Sequence, residues 1–217
     1  MSCAMWFRIA LLMLVVALPV EAADKAPTRT QALKAIEQPS AEVRRAAVRR
    51  LGEIGTMADA DRLVARLRDE DERVRLFATA SMWQIWSRSG DQAIDTLYQR
   101  GVQQMEQSRM DEAVATFSDI IRKMPSFAEA WNKRATIYYL MGEFELSLKD
   151  CDEVIKRNSN HFGALSGYGQ IYLNMGDFER ALTYFERALK VNPNLPGAST
   201  TIQLLRQQLQ EKQRKTI

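Results

Sequence analysis

Residue types that build catalytic and metal centres are scarce in this sequence. The 217 residues include one histidine and two cysteines. A single histidine, His161, excludes a histidine-rich zinc site and the HExxH motif of metalloproteases. A glycine-rich phosphate-binding loop is also missing. The neighbouring carboxylates Glu143 and Glu145 fall in a predicted turn, where charged side chains are usually solvated rather than catalytic. We therefore expect a protein that is not an enzyme and that needs no cofactor or metal.

An excess of charge of one sign is missing as well. The net charge is +3, and residues of both signs are interspersed along the chain. Such a pattern is typical of solvated helix faces and does not favour nucleic acid or a membrane surface as the partner. We expect a protein or peptide partner and no nucleic acid.

A long apolar run occurs near the N-terminus, where the ten residues 9–18 are all apolar. The run is too short to span a bilayer comfortably, and it follows an arginine and precedes small residues, which is the pattern of a secretory signal peptide. We predict a signal peptide over 1–22, cleaved after Ala22 or Ala23. The mature chain would then be secreted across the inner membrane, into the periplasm, with no integral membrane segment. An uncleaved anchor is the alternative.

One cysteine remains after removal of this segment, because Cys3 lies within it. Cys151 therefore cannot form an internal disulfide bond. It falls in a packing column of the repeats described next, so we expect a buried and inert thiol rather than a nucleophile.

Self-similarity dominates the chain from residue 91 onward. Three blocks of 34 residues, 94–127, 128–161 and 162–195, align without a gap. The eighth and twenty-fourth columns hold, in block order, Gly101, Ala135 and Gly169, and Phe117, Cys151 and Phe185. This pattern resembles the tetratricopeptide repeat (TPR) family, in which small columns let the two helices of a hairpin approach closely. The resemblance implies three stacked helix pairs.

Residues 29–88 carry a shorter repeat with an offset of 31 residues. The arrangement of Asp69 and Val74-Arg75 resembles the HEAT family, where a loop aspartate pairs with an arginine of a neighbouring repeat. Two such repeats cannot bury a continuous core alone. We therefore expect an all-α fold, a right-handed α-solenoid in which HEAT-like helices over 23–90 continue directly into three TPRs over 91–196.

The predicted solenoid ends in one more helix. Ile202, Leu205 and Leu209 lie on one face of this segment, and glutamines occupy much of the rest. The last repeat of a solenoid needs such a capping element, whose outer face is polar and meets the solvent. We assign 197–217 to a capping helix and a basic tail.

Three further features have predicted packing roles. Trp83 and Trp86 are expected to pack where the HEAT-like helices meet the TPRs, with a binding patch as the alternative. The sequence SFAE over 126–129 predicts a capping box at the start of the second repeat. Arg134 stands where a large apolar residue is usual; we favour an ion pair with an acidic residue between helices, and a ligand anchor is the alternative.

In the TPR family the first helix of each repeat lines a concave groove, so the resemblance also implies a binding surface. The corresponding residues are Tyr98, Val102 and Met105 in the first repeat, Asn132, Lys133, Thr136 and Tyr139 in the second, and Gly163, Ser166, Gly167, Gln170 and Leu173 in the third. One TPR subset binds the C-terminal carboxylate of cytosolic heat-shock chaperones through lysine, arginine and asparagine. The columns that carry these lysine, arginine and asparagine residues in that subset hold Tyr98, Val102, Lys133, Gly163 and Gly167 in this chain. The basic cage that a carboxylate requires is therefore missing.

Two glycines of the third repeat need an explanation. Gly163 and Gly167 lie one helical turn apart, hence on one face. Each glycine inside a helix costs about 1 kcal/mol relative to alanine. We favour close approach by a neighbouring helix, or a loose helix start. The alternative is a ligand backbone that lies directly on the bare helix.

These features favour a non-catalytic scaffold or adaptor in the bacterial cell envelope, which holds a segment of a partner protein in the concave groove. An accessory protein or hydrolase acting on envelope glycans is one alternative, and it predicts two carboxylates that face each other across a cleft at about 5 to 10 Å. A holdase-like chaperone is another, and it predicts a large exposed apolar patch.

Overall fold

The computed structural model describes residues 26–215, and every regular element in that range is helical. The helices are α1 (Arg29–Ala35), α2 (Ala41–Ile54), α3 (Ala60–Arg66), α4 (Glu72–Trp86), α5 (Gln92–Glu106), α6 (Met110–Lys123), α7 (Ala128–Leu140), α8 (Phe144–Arg157), α9 (Phe162–Asn174), α10 (Phe178–Val191) and α11 (Ala198–Lys215). A short 3-10 helix, Met57–Asp59, precedes α3. Within 26–215, no helix combines the length and the apolar character that crossing a membrane requires. The predicted signal peptide and its cleavage site lie outside the described residues.

The HEAT-like segment consists of two packed helix pairs, α1 with α2 and α3 with α4, and α2 also packs along α4. Three of these helices begin at a residue whose side chain accepts a hydrogen bond from a backbone N–H of the first turn: Thr28, Ser40 and Asp71. The apolar faces meet in a shared core that includes Val48, Leu51, Leu63, Leu67 and Met82. The 31-residue offset therefore corresponds to two stacked helical hairpins.

A buried ion pair joins these two repeats. The guanidinium of Arg44 donates to both carboxylate oxygens of Asp69, with Nη2–Oδ1 at 2.7 Å and Nε–Oδ2 at 2.9 Å. Both side chains are buried. Arg44 and Arg75 occupy equivalent positions at the offset of 31 residues, so the predicted pairing of a loop aspartate with an arginine of a neighbouring repeat is confirmed.

Arg75 extends the same pattern into the TPRs. Its Nε donates to Oδ1 of Asn194 at 3.0 Å, and Nδ2 of Asn194 donates to the carbonyl of Leu67 at 2.7 Å. Three residues of the third TPR complete the HEAT core: Phe162, Val191 and Leu195. The HEAT-like helices thus continue into the TPR stack through contacts with the third TPR, which is far from them in sequence.

Trp83 and Trp86 lie at this junction, as predicted. The Trp86 ring is 4% exposed and stacks on His161 with ring centroids 4.1 Å apart. The Trp83 ring is 36% exposed and packs edge-on against Phe162 at 5.3 Å. The packing role is confirmed for Trp86, whereas Trp83 packs on one side and faces solvent on the other.

Three further helix pairs follow: α5 with α6, α7 with α8, and α9 with α10. In the first and third of these pairs, a glycine in the eighth column allows the two helices to approach closely. A Cβ at Gly101 would lie 2.7 Å from the ring of Phe117, and a Cβ at Gly169 would lie 2.9 Å from the ring of Phe185. The spacing of small and large columns therefore has the packing origin that the repeat pattern indicates.

Two predicted contacts are confirmed in this half. The capping helix α11 buries Ile202 and Leu205 against the third TPR. Arg134 forms an ion pair with Asp150, with Nε–Oδ2 at 2.7 Å and Nη2–Oδ1 at 2.8 Å. The guanidinium of Arg134 therefore joins α7 to α8 and is not a ligand anchor in the groove.

The predicted capping box over 126–129 is wrong. Helix α7 begins after Phe127, and no side chain caps it. The reason lies in Glu129, whose carboxylate turns into the core and bonds to the ring of His161 at 2.9 Å. The residue that should have completed the capping box instead bonds to His161, the N-cap of α9.

Loss of the Asp69 charge is expected to destabilise the protein strongly. Asp69→Asn removes the carboxylate that balances the buried Arg44 guanidinium, and breaking a buried ion pair typically costs about 3–5 kcal/mol. Glu70→Gln is the matched control, because Glu70 is an exposed partner of the same guanidinium and its loss should cost less than about 1 kcal/mol. Urea denaturation followed by circular dichroism measures both free energies of unfolding. Equal losses in the two variants would contradict a central role for the buried pair.

Candidate binding groove

An open cavity of about 410 Å³ lies between α7, α9 and the start of α11. Buried side chains from α7, α8, α9 and α10 form its floor: Ala135, Ser147, Cys151, Ile171 and Phe185. Its walls are formed by Asn132, Thr136 and Tyr139 of α7, by Gly163, Ala164, Ser166, Gly167 and Gln170 of α9, and by 195–198 and Thr201 on the remaining side. We refer to this surface as the groove.

Part of the predicted binding surface lies together here. Seven of the twelve predicted residues line the groove: Asn132, Thr136, Tyr139, Gly163, Ser166, Gly167 and Gln170. All seven come from the first helices of the second and third repeats. The column positions of these two repeats therefore indicate a continuous surface, and the first repeat does not contribute to it.

Tyr98 is one of the predicted residues that lie elsewhere. Its ring is 3% exposed and packs edge-on against Phe117 and Phe127, with centroid distances of 5.9 and 5.6 Å. Its hydroxyl lies 3.4 Å from Oε1 of Glu129. The expectation that Tyr98 lines the groove is therefore wrong, because its ring fills the core of the first repeat.

The remaining four predicted residues also have other neighbours. Val102 and Met105 pack against the core of the first repeat. The Nζ of Lys133 lies 3.5 Å from the Glu129 carboxylate. Leu173 packs against the core of the third repeat and faces a separate cleft beside α11. These four side chains lie outside the groove, where they contact other apolar or charged residues.

Sequence reasoning missed the wall that the segment 195–198 and Thr201 form. A signal for it exists, because Pro196-Gly197 predicts a turn directly before the capping helix. In the structure, that turn and the first residues of α11 stand where the first helix of a further repeat would complete the groove. The floor was missed for a different reason: its residues belong to packing columns, which the family pattern does not associate with binding.

The two glycines of α9 have different roles. A Cβ at Gly163 would lie 2.3 Å from Cη2 of Trp83, so α4 can approach α9 only because this position has no side chain. A Cβ at Gly167 would have Sγ of Cys151 as its nearest neighbour, at an ordinary contact distance of 3.8 Å. Close approach by a neighbouring helix is therefore confirmed for Gly163. Gly167 instead leaves open space at the groove.

Cys151 contributes a thiol to the floor of the groove. Its side chain is buried, and burial, helped by the charges of Asp150 and Asp152, raises the pKa of the thiol to about 12. The thiol is therefore protonated near neutral pH, and a protonated thiol is a poor nucleophile. The predicted burial of this thiol is confirmed, and its raised pKa supports the expectation that it is inert.

A buried hydrogen-bond network fixes the groove wall from behind. Nδ1 of His161 accepts from the backbone N–H of Ala164 at 3.0 Å, so the ring proton lies on Nε2, which donates to Oε2 of Glu129. Nδ2 of Asn132 donates to both Glu129 oxygens, at 3.1 and 3.2 Å. The side chain of Asn132 is therefore held in one orientation where it lines the groove.

The same network sets the ionisation of Glu129. Burial acts to raise the pKa of this carboxyl, but the hydrogen bond from His161, the positive charge of Lys133 and the hydrogen bond from Asn132 outweigh burial. The pKa of Glu129 therefore lies below the ordinary value of 4.5. The carboxylate is ionised in the folded protein near neutral pH, and its charge is balanced inside the core.

The groove itself is uncharged. The described residues that line it include no Asp, Glu, Lys, Arg or His. Across 26–215, no group of three or more His, Cys, Asp and Glu side chains is placed to hold a metal ion. The surface offers hydroxyl and amide groups above an apolar floor, which suits hydrogen bonding to an uncharged ligand.

Alanine substitutions should distinguish the two glycines of α9. Gly163→Ala should lower the free energy of unfolding by about 1–3 kcal/mol, because overpacking against Trp83 outweighs the gain in helix propensity. Gly167→Ala is the matched control in the same helix and should raise stability by up to about 1 kcal/mol, because its Cβ meets only an ordinary contact. Chemical denaturation of both variants measures the difference, and a stabilised Gly163→Ala protein would contradict the close approach of α4.

The pH dependence of stability should report on Glu129. Because the pKa of Glu129 is lower in the folded protein, its ionised form contributes stability above the unfolded value of 4.5, and this contribution is lost as pH falls through the folded pKa. The difference in unfolding free energy between the wild type and Glu129→Gln should be largest near neutral pH and should shrink below that value. Denaturation at a series of pH values measures it, with the exposed Glu143→Gln as a control for the lost net charge. A difference that stays constant with pH would show that the Glu129 charge has no such role.

Comparison with known proteins identifies both kinds of repeat. The sequence pattern of the tetratricopeptide repeat matches residues 128–161 and 164–195, and that of HEAT repeats matches residues 26–116. The HEAT match extends beyond residue 90 into the block 94–127, which the 34-residue register assigns to a first TPR. A TPR repeat-containing protein of Rhizobium etli is 32% identical over 108 residues, which cover 49% of this chain and 53% of the relative. The chain thus matches about half the length of this curated relative.

Solved TPR structures share the helical arrangement. The first TPR of Spaghetti (RPAP3) bound to the HSP90 peptide SRMEEVD superposes with a TM-score of 0.52 and 23% identity over 54% of this chain and 92% of that chain. The Sgt2 TPR domain from Aspergillus fumigatus superposes with a TM-score of 0.53 and 17% identity over 57% and 83%. At such identities the likeness concerns the fold alone. The chain thus contains segments that match HEAT repeats and tetratricopeptide repeats, and its fold resembles that of solved TPR domains.

Proposed function

We propose that this chain is a non-catalytic scaffold of the bacterial cell envelope that binds an extended segment of a partner protein in the groove. The observation that carries the proposal is the bare surface at Gly167. Alanine would fit there and would favour the helix, yet glycine leaves α9 open to a cavity of about 410 Å³. A ligand backbone can lie directly on α9 only while this position has no side chain.

The groove walls offer the groups that a peptide backbone needs. The side-chain amide of Gln170 and the hydroxyl of Ser166 can each donate and accept hydrogen bonds. The Tyr139 hydroxyl accepts from Nδ2 of Asn174 at 2.7 Å, so its own proton is available for a ligand carbonyl. The apolar floor below, which includes Phe185, suits a small uncharged side chain of the partner. An extended segment satisfies both requirements, because its side chains alternate between floor and solvent.

The partner segment should be uncharged where it enters the groove. The RPAP3 domain was solved with an HSP90 peptide, SRMEEVD, that carries several carboxylates. The lining of this groove holds no cation, and Lys133 is already occupied by Glu129. An acidic peptide would therefore lose hydration without gaining an ion pair.

Hydrolysis of envelope glycans is supported less well by this site. That reaction normally requires a pair of Asp or Glu side chains on either side of the bond that is cleaved. The described residues that line the groove include neither residue type. The hydroxyl and amide groups present can hold a ligand, but they do not supply the carboxyl pair that this reaction normally uses.

Site-specific photo-crosslinking in living cells tests the proposal. A photoreactive amino acid at Thr136 or Gln170 lies in the groove, whereas the same residue at the exposed Lys149 lies on α8, outside the groove. We expect one discrete protein adduct from both groove positions and no such adduct from Lys149. Mass spectrometry of the adduct identifies the partner and the crosslinked segment.

Two results would contradict the proposal. The same adduct from Lys149 alone would place the interface on the outer surface of the repeats. Recovery of the full chain and its adduct from the cytoplasmic fraction, rather than from the periplasm after cell fractionation, would contradict the envelope location, which rests on the predicted signal peptide over 1–22.

A further inference from the structure

A second cavity, of about 250 Å³, lies where the end of α4 meets the turn before α7 and the turn before α9. It is separate from the groove and has a different lining. Its apolar residues are Met57, Met124, Phe127 and Ala128, and its polar ones include Trp86, Arg88, Glu129, Arg157, Asn158 and His161. We refer to it as the junction cavity.

Two buried hydrogen-bond donors in this lining have no partner. Within the described residues, Nε1 of Trp86 and Nδ2 of Asn158 are the buried side-chain nitrogens that lack an acceptor. Both residues line the junction cavity. A buried donor without an acceptor costs about 1–3 kcal/mol, so two of them at one cavity indicate a shared missing acceptor.

Neither donor can reorient to reach another acceptor. The ring of Trp86 is fixed by its stack on His161, 4.1 Å away and nearly parallel. The amide of Asn158 is fixed because its Oδ1 accepts from the backbone N–H of Asn160 at 3.2 Å, which leaves the NH₂ group without an alternative orientation. The two donors are therefore built into the fold.

The surrounding charges favour an anionic acceptor. Arg88 and Arg157 both line the junction cavity, against the single carboxylate of Glu129. The Glu129 oxygens are already occupied by His161, Asn132, Lys133 and Tyr98. Arg157 is paired with Glu153, whereas Arg88 donates to the carbonyl of Gly55 and forms no ion pair within the described residues. An incoming carboxylate would therefore meet a cation without a carboxylate partner, and donors rather than a free acceptor.

We propose that the junction cavity is a second binding site, which takes a carboxylate on a short apolar stem. One carboxylate oxygen accepts from Nε1 of Trp86, the other accepts from Nδ2 of Asn158, and the stem lies against Phe127 and Met124. Ligand pockets for drug-sized molecules usually span about 300–1,000 Å³, so a cavity of 250 Å³ favours a ligand smaller than these. A free short-chain acid and the side chain of an acidic residue in a partner protein share this chemistry.

The indole N–H signal of Trp86 gives a direct test in ¹H–¹⁵N NMR spectra of the full chain. The signal is identified by its loss in Trp86→Phe, which keeps an aromatic ring on His161 but removes the donor. Titration with butyrate should move this signal in a saturable way. Butylamine, which has the same stem and no acceptor oxygen, should not. Helix α10 contributes no residue to the lining of the junction cavity, so its backbone N–H signals are the internal control that should stay in place.

Asn158→Asp is the matched variant, because its carboxylate can still accept from Asn160 but replaces the donor by a negative charge. It should weaken butyrate binding at least tenfold while the spectrum elsewhere remains that of the folded protein. Titration with N-acetylglutamate methylamide distinguishes the two sources, because tighter binding than butyrate indicates a protein side chain and weaker binding a free acid.

Absence of a saturable Trp86 shift with either carboxylate would overturn the proposal and would leave water as the partner of the two donors. An equal affinity of Asn158→Asp and wild type for butyrate would overturn it as well. Neither result affects the proposed function of the groove, which is lined by other residues.

Discussion

The stack of Trp86 on His161 is the contact on which the arrangement of the two halves depends. Trp86 ends the last HEAT helix, and His161 lies directly before the first helix of the third TPR. The same imidazole donates to Glu129 of the second TPR. One ring thus fixes three parts of the chain at once, and burial makes each of its hydrogen bonds costly to leave unmade. The groove wall formed by α9 begins at this point.

This arrangement explains why the groove is formed before a ligand arrives. Asn132 is held by Glu129 at one wall, and Trp83 covers Gly163 at the N-terminal end of α9. Arg75 and Asn194 hold the turn that forms the opposite wall. A binding surface whose walls are fixed in the free protein loses little conformational entropy on association, which favours affinity from a small contact area. The HEAT helices therefore act as a support for the TPR groove.

Much of the fold could be predicted from the sequence, because it depends on local spacing. The columns of Gly101 and Gly169 follow from repeat periodicity, and the resemblance to HEAT repeats implies their arginine–aspartate pairing. The ion pair of Arg134 follows from a charged residue in a column that is usually apolar. The junction could not be predicted in detail. Trp83 and Gly163 are 80 positions apart, and no periodicity relates a HEAT helix to the third TPR rather than the first.

The binding surface shows the same limit. Column positions located the residues of α7 and α9 that line the groove, because those helices obey the repeat geometry. They failed at Tyr98, where an aromatic ring gains more by filling the core than by facing solvent. The capping box over 126–129 failed for a related reason, because the predicted bond of Glu129 is local whereas its actual partner is a buried histidine 32 residues away.

The most direct measurement of the central claim is the affinity of the crosslinked partner segment, prepared as a peptide, for wild-type protein and for Gly167→Leu. A Cβ at this position meets only an ordinary contact, and Gly167 faces an open cavity, so we expect the variant to keep the thermal stability of the wild type. Isothermal titration calorimetry should then show at least a tenfold loss of affinity, which corresponds to about 1.4 kcal/mol. Equal dissociation constants for the two proteins would show that the open surface at Gly167 does not bind the partner.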